Sequence, residues 1–396
     1  MNFFATTAKN IEPLLLDEFQ SFGVSQCKGT HLGVYFQGSL EHAYRACLWS
    51  RLANTVLLEL KTFRASTQEN LYGAVRSIDW TQHFGVNQTF RIDVSGRHPT
   101  LVHPHFIAHV TKDAIVDQFR RATGERPSIE QDRPDIVLHL HVRDEEFSLY
   151  LDLSGDSLHR RGLRTETGEA PLKETLAAAL LMRAGWPKMM NNASTRPMLF
   201  DPCCGAGTLL LEGAMMAYDI APGSFRNYFG FFGWKKHDAA LWDKLVTEAK
   251  TREAAARKKN NACFMGFDIN VNALMASEQN FKKLDLSSKI TLEKRDASNM
   301  EHPAFADHAG LLITNPPYGK RLMSGETDAI TRLYQHLGEG IKAYLAGWKI
   351  AIFTGDTGPV KAIRMRPKKQ YQLMNGTLEC TLLTFEAEPE SYWREI

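Results

Sequence analysis

The sequence predicts an α/β protein in two parts: an α+β region up to about residue 155, then a doubly wound, mostly parallel sheet from residue 176 onward. Three observations predict it. After residue 176, strand-like and helix-like apolar segments alternate, which places helices on both faces of a parallel sheet. Two of those strand-like segments run directly into an acid (Asp201, Asp268) and a third has one just past its end (Asp296), at the strand end where open α/β sheets bind ligands. Before residue 155, two strand-like runs flank the acidic break Arg143-Asp144-Glu145-Glu146, which reads as an antiparallel hairpin.

Residues 1–60 form the first expected unit. FFATTAK reads as a strand, Ile11 to Phe19 as a helix by its apolar spacing, Val34-Tyr35-Phe36 as a strand, Glu41 to Leu48 as a helix and Val56 to Leu60 as a strand. Residues 61–155 follow as an α+β module. It has helices at Leu71–Ile78 and His109–Arg120, and strands at Phe90–Val94, Ile136–Val142 and Phe147–Leu153. The polar, basic stretch 156–175 is the expected linker. The catalytic-looking part runs over 176–396, with strands at Pro197–Phe200, Phe264–Phe267, Ile290–Glu293, Gly310–Ile313, Lys349–Phe353 and Cys380–Phe385. Residues 220–262 break the rhythm and read as an insertion. Its aromatic run Phe225 to Trp234 can stack on bases or form a satellite core, and the second reading is preferred.

Bulk properties narrow the classes. With 43% hydrophobic and 23% charged residues, a packed globular core is feasible and a disordered chain is not expected. No apolar run reaches the ~18 residues of a membrane span, and the acids near the N-terminus do not fit a signal peptide, so a cytoplasmic location is expected. The six cysteines lack CxxC spacing, which speaks for reduced thiols and against structural zinc. His98, His103, His105 and His109 cluster in sequence, but no Cys or Glu completes a ligand set, so no metal is expected. Net charge is only +2, yet local basic clusters stand at 159–164, 257–259 and 361–369.

The first chemical motif is Asp201-Pro202-Cys203-Cys204-Gly205-Ala206-Gly207-Thr208 at a strand–helix junction. A dinucleotide fingerprint would need a third glycine where Leu210 stands, and a P-loop would need Gly-Lys-Ser/Thr. Asp201 disfavours a pyrophosphate and suits a cationic ligand, and S-adenosylmethionine carries an ammonium and a sulfonium. Asp268, ending the next strand, can accept both ribose hydroxyls or cap its helix. Asp296 can accept an adenine amino hydrogen. In Asn315-Pro316-Pro317-Tyr318 two prolines remove N–H donors and leave carbonyls at Asn315 and Pro316. Such a grip suits a conjugated exocyclic amine, whose lone pair is otherwise delocalised, and Tyr318 can stack on the base.

On these residues the chain resembles the class I S-adenosylmethionine-dependent methyltransferases that act on amines. The region 44–155 resembles a THUMP RNA-binding domain. Ser154 to Arg164 and Ala170 to Ala178 look like the joining segment of the 23S rRNA guanine-N2-methyltransferases of the RlmL type. The resemblance implies a Rossmann-like class I methyltransferase domain preceded by an α+β ferredoxin-like/THUMP RNA-binding region, with 23S rRNA or a pre-ribosomal particle as partner. It implies that S-adenosylmethionine is held by Asp201, Cys203, Gly205, Gly207, Thr208, Asp268, Ile269, Asp296, Ala297, Asn315 and Thr175. It further implies catalysis by Asn315, Pro316, Pro317 and Tyr318, and RNA contact by Arg160, Arg161, Arg164, Lys320 and Arg321. Two departures stand out. Cys203-Cys204 replace residues that are commonly others in the family, and the given sequence ends at Ile396, where many relatives continue into a second domain making 7-methylguanine. The alternatives are a tRNA guanine-N2 enzyme, an adenine-N6 enzyme, and an RNA-binding assembly factor.

Overall fold

The structure is a computed structural model and describes residues 1–163, 172–190, 196–318 and 327–388. Two compact units emerge: one of residues 1–7, 12–158 and 226–247, the other of 8–11, 159–225 and 248–396.

The first unit is built on one eight-stranded sheet. Its strands are β1 (Asn2–Thr6), β2 (Gln26–Thr30), β3 (Gly33–Gln37), β4 (Thr55–Arg64), β5 (Thr89–Arg97), β6 (Ser128–Ile129), β7 (Ile136–Arg143) and β8 (Glu146–Asp152), in the order β2-β3-β1-β4-β8-β7-β5-β6. Its helices are α1 (Glu12–Ser21), α2 (Leu40–Trp49), α3 (Gln68–Arg76) and α4 (Pro104–Thr123). Alternation in the strands sorts the faces. Phe3, Ala5, Val34, Phe36, Val56 and Leu58 are all buried on one side, and Phe19 of α1 packs on Phe36 with ring centroids 4.7 Å apart. Farther along the same layer, Phe119 of α4 meets Phe84, which meets Phe90 of β5, at 5.1 and 5.5 Å. Each such ring contributes roughly 1.5–3 kcal/mol by leaving water.

β4 pairs antiparallel with β1 at its start and with β8 along most of its length, with a bulge between Glu59 and Lys61. The two segments expected as separate modules therefore share a single sheet. The aromatic run of the insertion also belongs to this unit: Phe229, Phe231 and Trp234 are buried, and Phe231 stacks on Tyr44 of α2 at 4.2 Å. Of its two readings, the satellite core is what the structure shows.

The second unit holds a seven-stranded sheet. The strands are β9 (Met198–Asp201), β10 (Cys263–Asp268), β11 (Ile290–Lys294), β12 (Gly310–Thr314), β13 (Lys349–Thr354), β14 (Lys369–Asn375) and β15 (Leu378–Glu386), in the order β11-β10-β9-β12-β13-β15-β14. The first five are parallel and β15 runs antiparallel to both neighbours. Around the sheet lie α5 (Glu174–Ala184), α6 (Trp186–Met190), α7 (Thr208–Ala217), α9 (Val271–Lys283) and α10 (Thr327–Tyr344), while α8 (Ala239–Lys259) enters from the insertion. Phe200, Phe267, Phe305, Tyr334 and Trp348 fill the core beneath the parallel strands. Strand order reverses between β9 and β12, and such a switch point opens a crevice at the carboxyl ends of the strands.

Three strands were not expected from the sequence. β2, β6 and β14 are edge strands that bury only Leu373 among them, so none carries an apolar alternation.

Candidate active site

The chemistry-bearing residues converge at the carboxyl ends of β9, β10, β11 and β12. Asp201 is the last residue of β9, and Gly266 of β10 is registered beside it, which puts Asp268 two residues farther out. The glycine turn then folds back over β10. Cys204 N–H donates to the Phe267 carbonyl at 2.9 Å, and Gly205 N–H donates to Asp268 Oδ2 at 2.8 Å. Asp268 Oδ1 accepts from Asn270 N–H at 2.8 Å. Each carboxylate oxygen keeps a further lone pair for a ligand hydroxyl, so Asp268 can both hold the turn and accept from a ribose.

Gly205 and Gly207 have φ of 54° and 76°, the left-handed region that a side chain disfavours. At Gly207 there is a second reason: a Cβ would collide with the Ser277 hydroxyl of α9. Asn280, one turn farther along α9, donates from Nδ2 to the Ala206 carbonyl at 3.3 Å. Ser277 and Asn280 are both buried, so α9 supports the turn from behind. Sequence reasoning missed both residues, because their only signal is polarity on a helix face that ought to be apolar.

Asp201 is 2% exposed, and its Oδ1 accepts from Cys203 N–H at 3.0 Å. Burial pushes its carboxyl up to about 7, and the nearby Asp268 charge adds to this against the Cys203 N–H and the Thr314 hydroxyl. A buried acid poised this way gains from a cation brought close to it. Asp296 is exposed and its Oδ1 accepts from Ser298 N–H at 2.8 Å, a bond that holds its carboxyl below the usual range. Ile269 is 68% exposed beside Asp268, an apolar surface free for a flat ring. Thr208 opens α7 and is nearly buried; Ala297 and Thr175 are buried.

Asn315 follows the fully buried β12. Its Oδ1 is shielded from solvent yet has no hydrogen-bond partner among the described residues, an arrangement that costs about 1–3 kcal/mol unless a further donor completes it. Pro316 is buried and Pro317 exposed. The Tyr318 hydroxyl accepts from Asn375 Nδ2 at 3.2 Å, and its ring lies where a Cβ at Gly355 would stand. The β14–β15 hairpin thus fixes the tyrosine ring, and Asn375 and Gly355 are further residues that the sequence did not flag.

One expected RNA contact is corrected. Arg161 is 2% exposed, and its Nε donates to Glu212 Oε1 of α7 at 3.1 Å, inside the second unit. A guanidinium spent on a buried carboxylate does not reach a phosphate. Arg160 is exposed, whereas Arg164, Lys320 and Arg321 lie outside the described residues. The basic clusters farther along serve partly as structure: Arg257 pairs with Glu253, and Lys368 with Glu386. Among the described residues, no three His, Cys, Asp or Glu side chains are grouped to hold a metal, and no helix is long and apolar enough to cross a membrane.

The site fits S-adenosylmethionine on its own geometry: side-chain-free glycines at a close turn, a ribose-competent carboxylate, a buried acid that favours a cation, and an unsatisfied acceptor at Asn315.

Comparison with known proteins agrees. Residues 161–384 match the RMKL-like methyltransferase domain, residues 65–152 the THUMP domain and residues 2–57 the RlmL ferredoxin-like domain. The chain is 44% identical over 392 residues to the ribosomal RNA large subunit methyltransferase K/L of Methylococcus capsulatus, covering 99% of this chain and 52% of that protein. It is 43% identical over 394 residues to the protein of the same name from Syntrophotalea carbinolica, covering 99% and 54%. The chain thus spans about half the length of the curated relatives it matches. Among solved structures, a methyltransferase named SMU.472, complexed with SAH, aligns with a TM-score of 0.82 at 28% identity, covering 98% of each chain. A Listeria monocytogenes protein described as an N6-adenine-specific DNA methylase aligns at 0.83 and 26% identity, covering 98% of this chain and 96% of that one.

Proposed function

The chain belongs to the RlmK/RlmL family of ribosomal RNA large subunit methyltransferases, and from that premise we propose that it transfers a methyl group to the exocyclic N2 of a guanine in 23S rRNA. S-adenosylmethionine is the cofactor, and it supplies an electrophilic methyl group on a sulfonium. Asp268 accepts from its ribose hydroxyls, Asp296 and Ile269 border its adenine, and the Gly205–Gly207 turn with Asp201 receives its amino-acid end.

The observation that carries the exocyclic-amine reading is the Oδ1 of Asn315, shielded from solvent and unpartnered among the described residues, followed by two residues that have no N–H; the family match favours guanine among such amines. A guanine amino group is a weak nucleophile because its lone pair is shared with the ring. Asn315 Oδ1 and the Pro316 carbonyl accept its two hydrogens and so favour a pyramidal nitrogen with a localised lone pair. After transfer the extra proton leaves to water, so no side chain with a matched pKa is required. The target base has to leave its stack to enter this site, at a cost of a few kcal/mol when it is paired. Tyr318, held by Asn375, offers a fixed ring against which the extruded base lies. The THUMP match supports RNA as the substrate.

The test is mass-spectrometric mapping of methylated nucleosides in rRNA and tRNA from a strain lacking the gene, with the purified chain added back to that RNA. Loss and restoration of N2-methylguanosine at one 23S position supports the reading. N6-methyladenosine instead, which the same grip would also serve, replaces it.

A further inference from the structure

Cross-strand partners share a face of a sheet. In the first unit the registers Lys28↔Tyr35, Phe4↔Tyr35, Phe4↔Leu57 and Glu59↔Tyr150 put Lys28, Tyr35, Phe4, Glu59 and Tyr150 on the side opposite the buried Phe3, Phe36 and Leu58. A cavity of about 450 Å³ opens at this end of the sheet, lined by Asn2, Gln26, Lys28, Tyr35, Gln37 and Glu59 among others. Its chemistry is not that of a core. Tyr35 is 41% exposed, with its ring 4.5 Å from Phe4, which in turn lies 6.4 Å from Tyr150. Three side-chain amides stand around this aromatic floor, with Gln26 registered opposite Gln37, and Asn2 Nδ2 reaches Glu59 Oε1 at 3.4 Å.

A nucleobase uses all of these groups. Its π face stacks on an exposed aromatic ring, and its edge pairs with amides and a carboxylate that offer both donors and acceptors. Charge on the same face favours a polyanion. Lys28, Arg64, Arg97 and Arg143 are exposed there, against the exposed Glu146 and the half-buried Glu59 and Asp93, the last paired with Arg91. Of the insertion's aromatics, Phe229, Phe231 and Trp234 are buried, and the exposed Tyr228 and Phe232 do not line this cavity.

We propose that the open face around Tyr35 is a binding site for single-stranded RNA, in which one nucleobase stacks on Tyr35 inside the cavity while Lys28 holds an adjacent phosphate. It rests on the reading that the substrate is RNA, and it supplies an anchor separate from the base that is methylated.

The test uses the full chain and a labelled oligocytidylate, which contains neither guanine nor adenine and so does not depend on a target base. Anisotropy titrations are expected to show binding weakened about tenfold by Tyr35→Ala and restored by Tyr35→Phe. Lys28→Ala should lower the slope of log K against log salt by about 0.7. Ultraviolet crosslinking of wild-type protein should place the adduct within residues 26–37. Wild-type affinity in both alanine variants, with crosslinks mapping only elsewhere, overturns the site. The two readings fail separately. If the variants lose oligocytidylate but nucleoside mapping finds no N2-methylguanosine, this face stands and the methylation reading falls; the reverse result does the opposite.

Discussion

Asp268 Oδ2 accepts the Gly205 N–H at 2.8 Å, so the acid that ends β10 fastens the glycine turn that follows β9. In the proposed site this one side chain would serve the cofactor twice, as a ribose acceptor and as a brace for the loop that receives the rest of the molecule. Asp268→Ala is expected to weaken S-adenosylmethionine binding by about 10- to 100-fold, the worth of one or two hydrogen bonds to a charged acceptor. Asp268→Asn keeps one acceptor oxygen and should lie between. Isothermal titration calorimetry measures both, and an unchanged Kd in the alanine variant sinks the double role.

Asn315→Ala should lower kcat by roughly 10²–10³, the typical cost of removing one group that acts on charge developing in the transition state. Cofactor affinity should stay close to wild type. Because Oδ1 has no partner among the described residues, the change should cost little thermal stability. An asparagine that merely shapes a turn would give the opposite pair of results, a lower Tm with turnover preserved.

The carboxyl of Asp201 has been pushed up to about 7 from 3.8, so in the free protein it is largely neutral below that pH. Two trends follow from the sign. Between pH of about 4 and 7 the folded state binds a proton that the unfolded chain has lost, so this group's contribution to stability declines as pH rises. Affinity for the cationic cofactor moves the other way, climbing toward pH ~7 as Asp201 ionises and levelling above it. S-adenosylhomocysteine, lacking the sulfonium charge, should show a shallower climb, and Asp201→Asn should flatten both profiles. Calorimetric titrations across this range decide it.

Arg161→Met should destabilise the chain by about 3–5 kcal/mol, because it leaves Glu212 charged and alone in the interior. The double variant Arg161→Met with Glu212→Leu should recover most of that loss. Denaturant unfolding followed by intrinsic fluorescence gives both values. RNA affinity lost in the single variant but unrecovered in the stable double variant would restore Arg161 as a direct contact.

The strand-end acids and Asn315 to Tyr318 were legible in the sequence because each is contiguous with the apolar strand that delivers it. What escaped notice depends on partners far away in the chain. Arg161 looks like its exposed neighbour Arg160 until Glu212, 51 positions later, is brought beside it. Ser277 and Asn280 read as ordinary helix polarity, and only the fold shows them behind Gly207 and Ala206. β2, β6 and β14 bury only Leu373 among them, so hydrophobic periodicity has no pattern to detect there. The aromatic insertion was correctly read as a core, but its membership in the first unit could not be seen, since Tyr44 lies nearly two hundred residues before it.

The bulged strand Thr55–Arg64 crosses the border at which the ferredoxin-like and THUMP matches part, between residues 57 and 65. Heredity and folding therefore divide this chain at different places. A gene cut at that border would strip β1 of one neighbour and β8 of the other, leaving two raw sheet edges ready to pair with whatever strand they meet. Swapping either module for a foreign one would have to carry β4 along with it, and a working hybrid would be one in which both halves still recognise the same ten-residue seam.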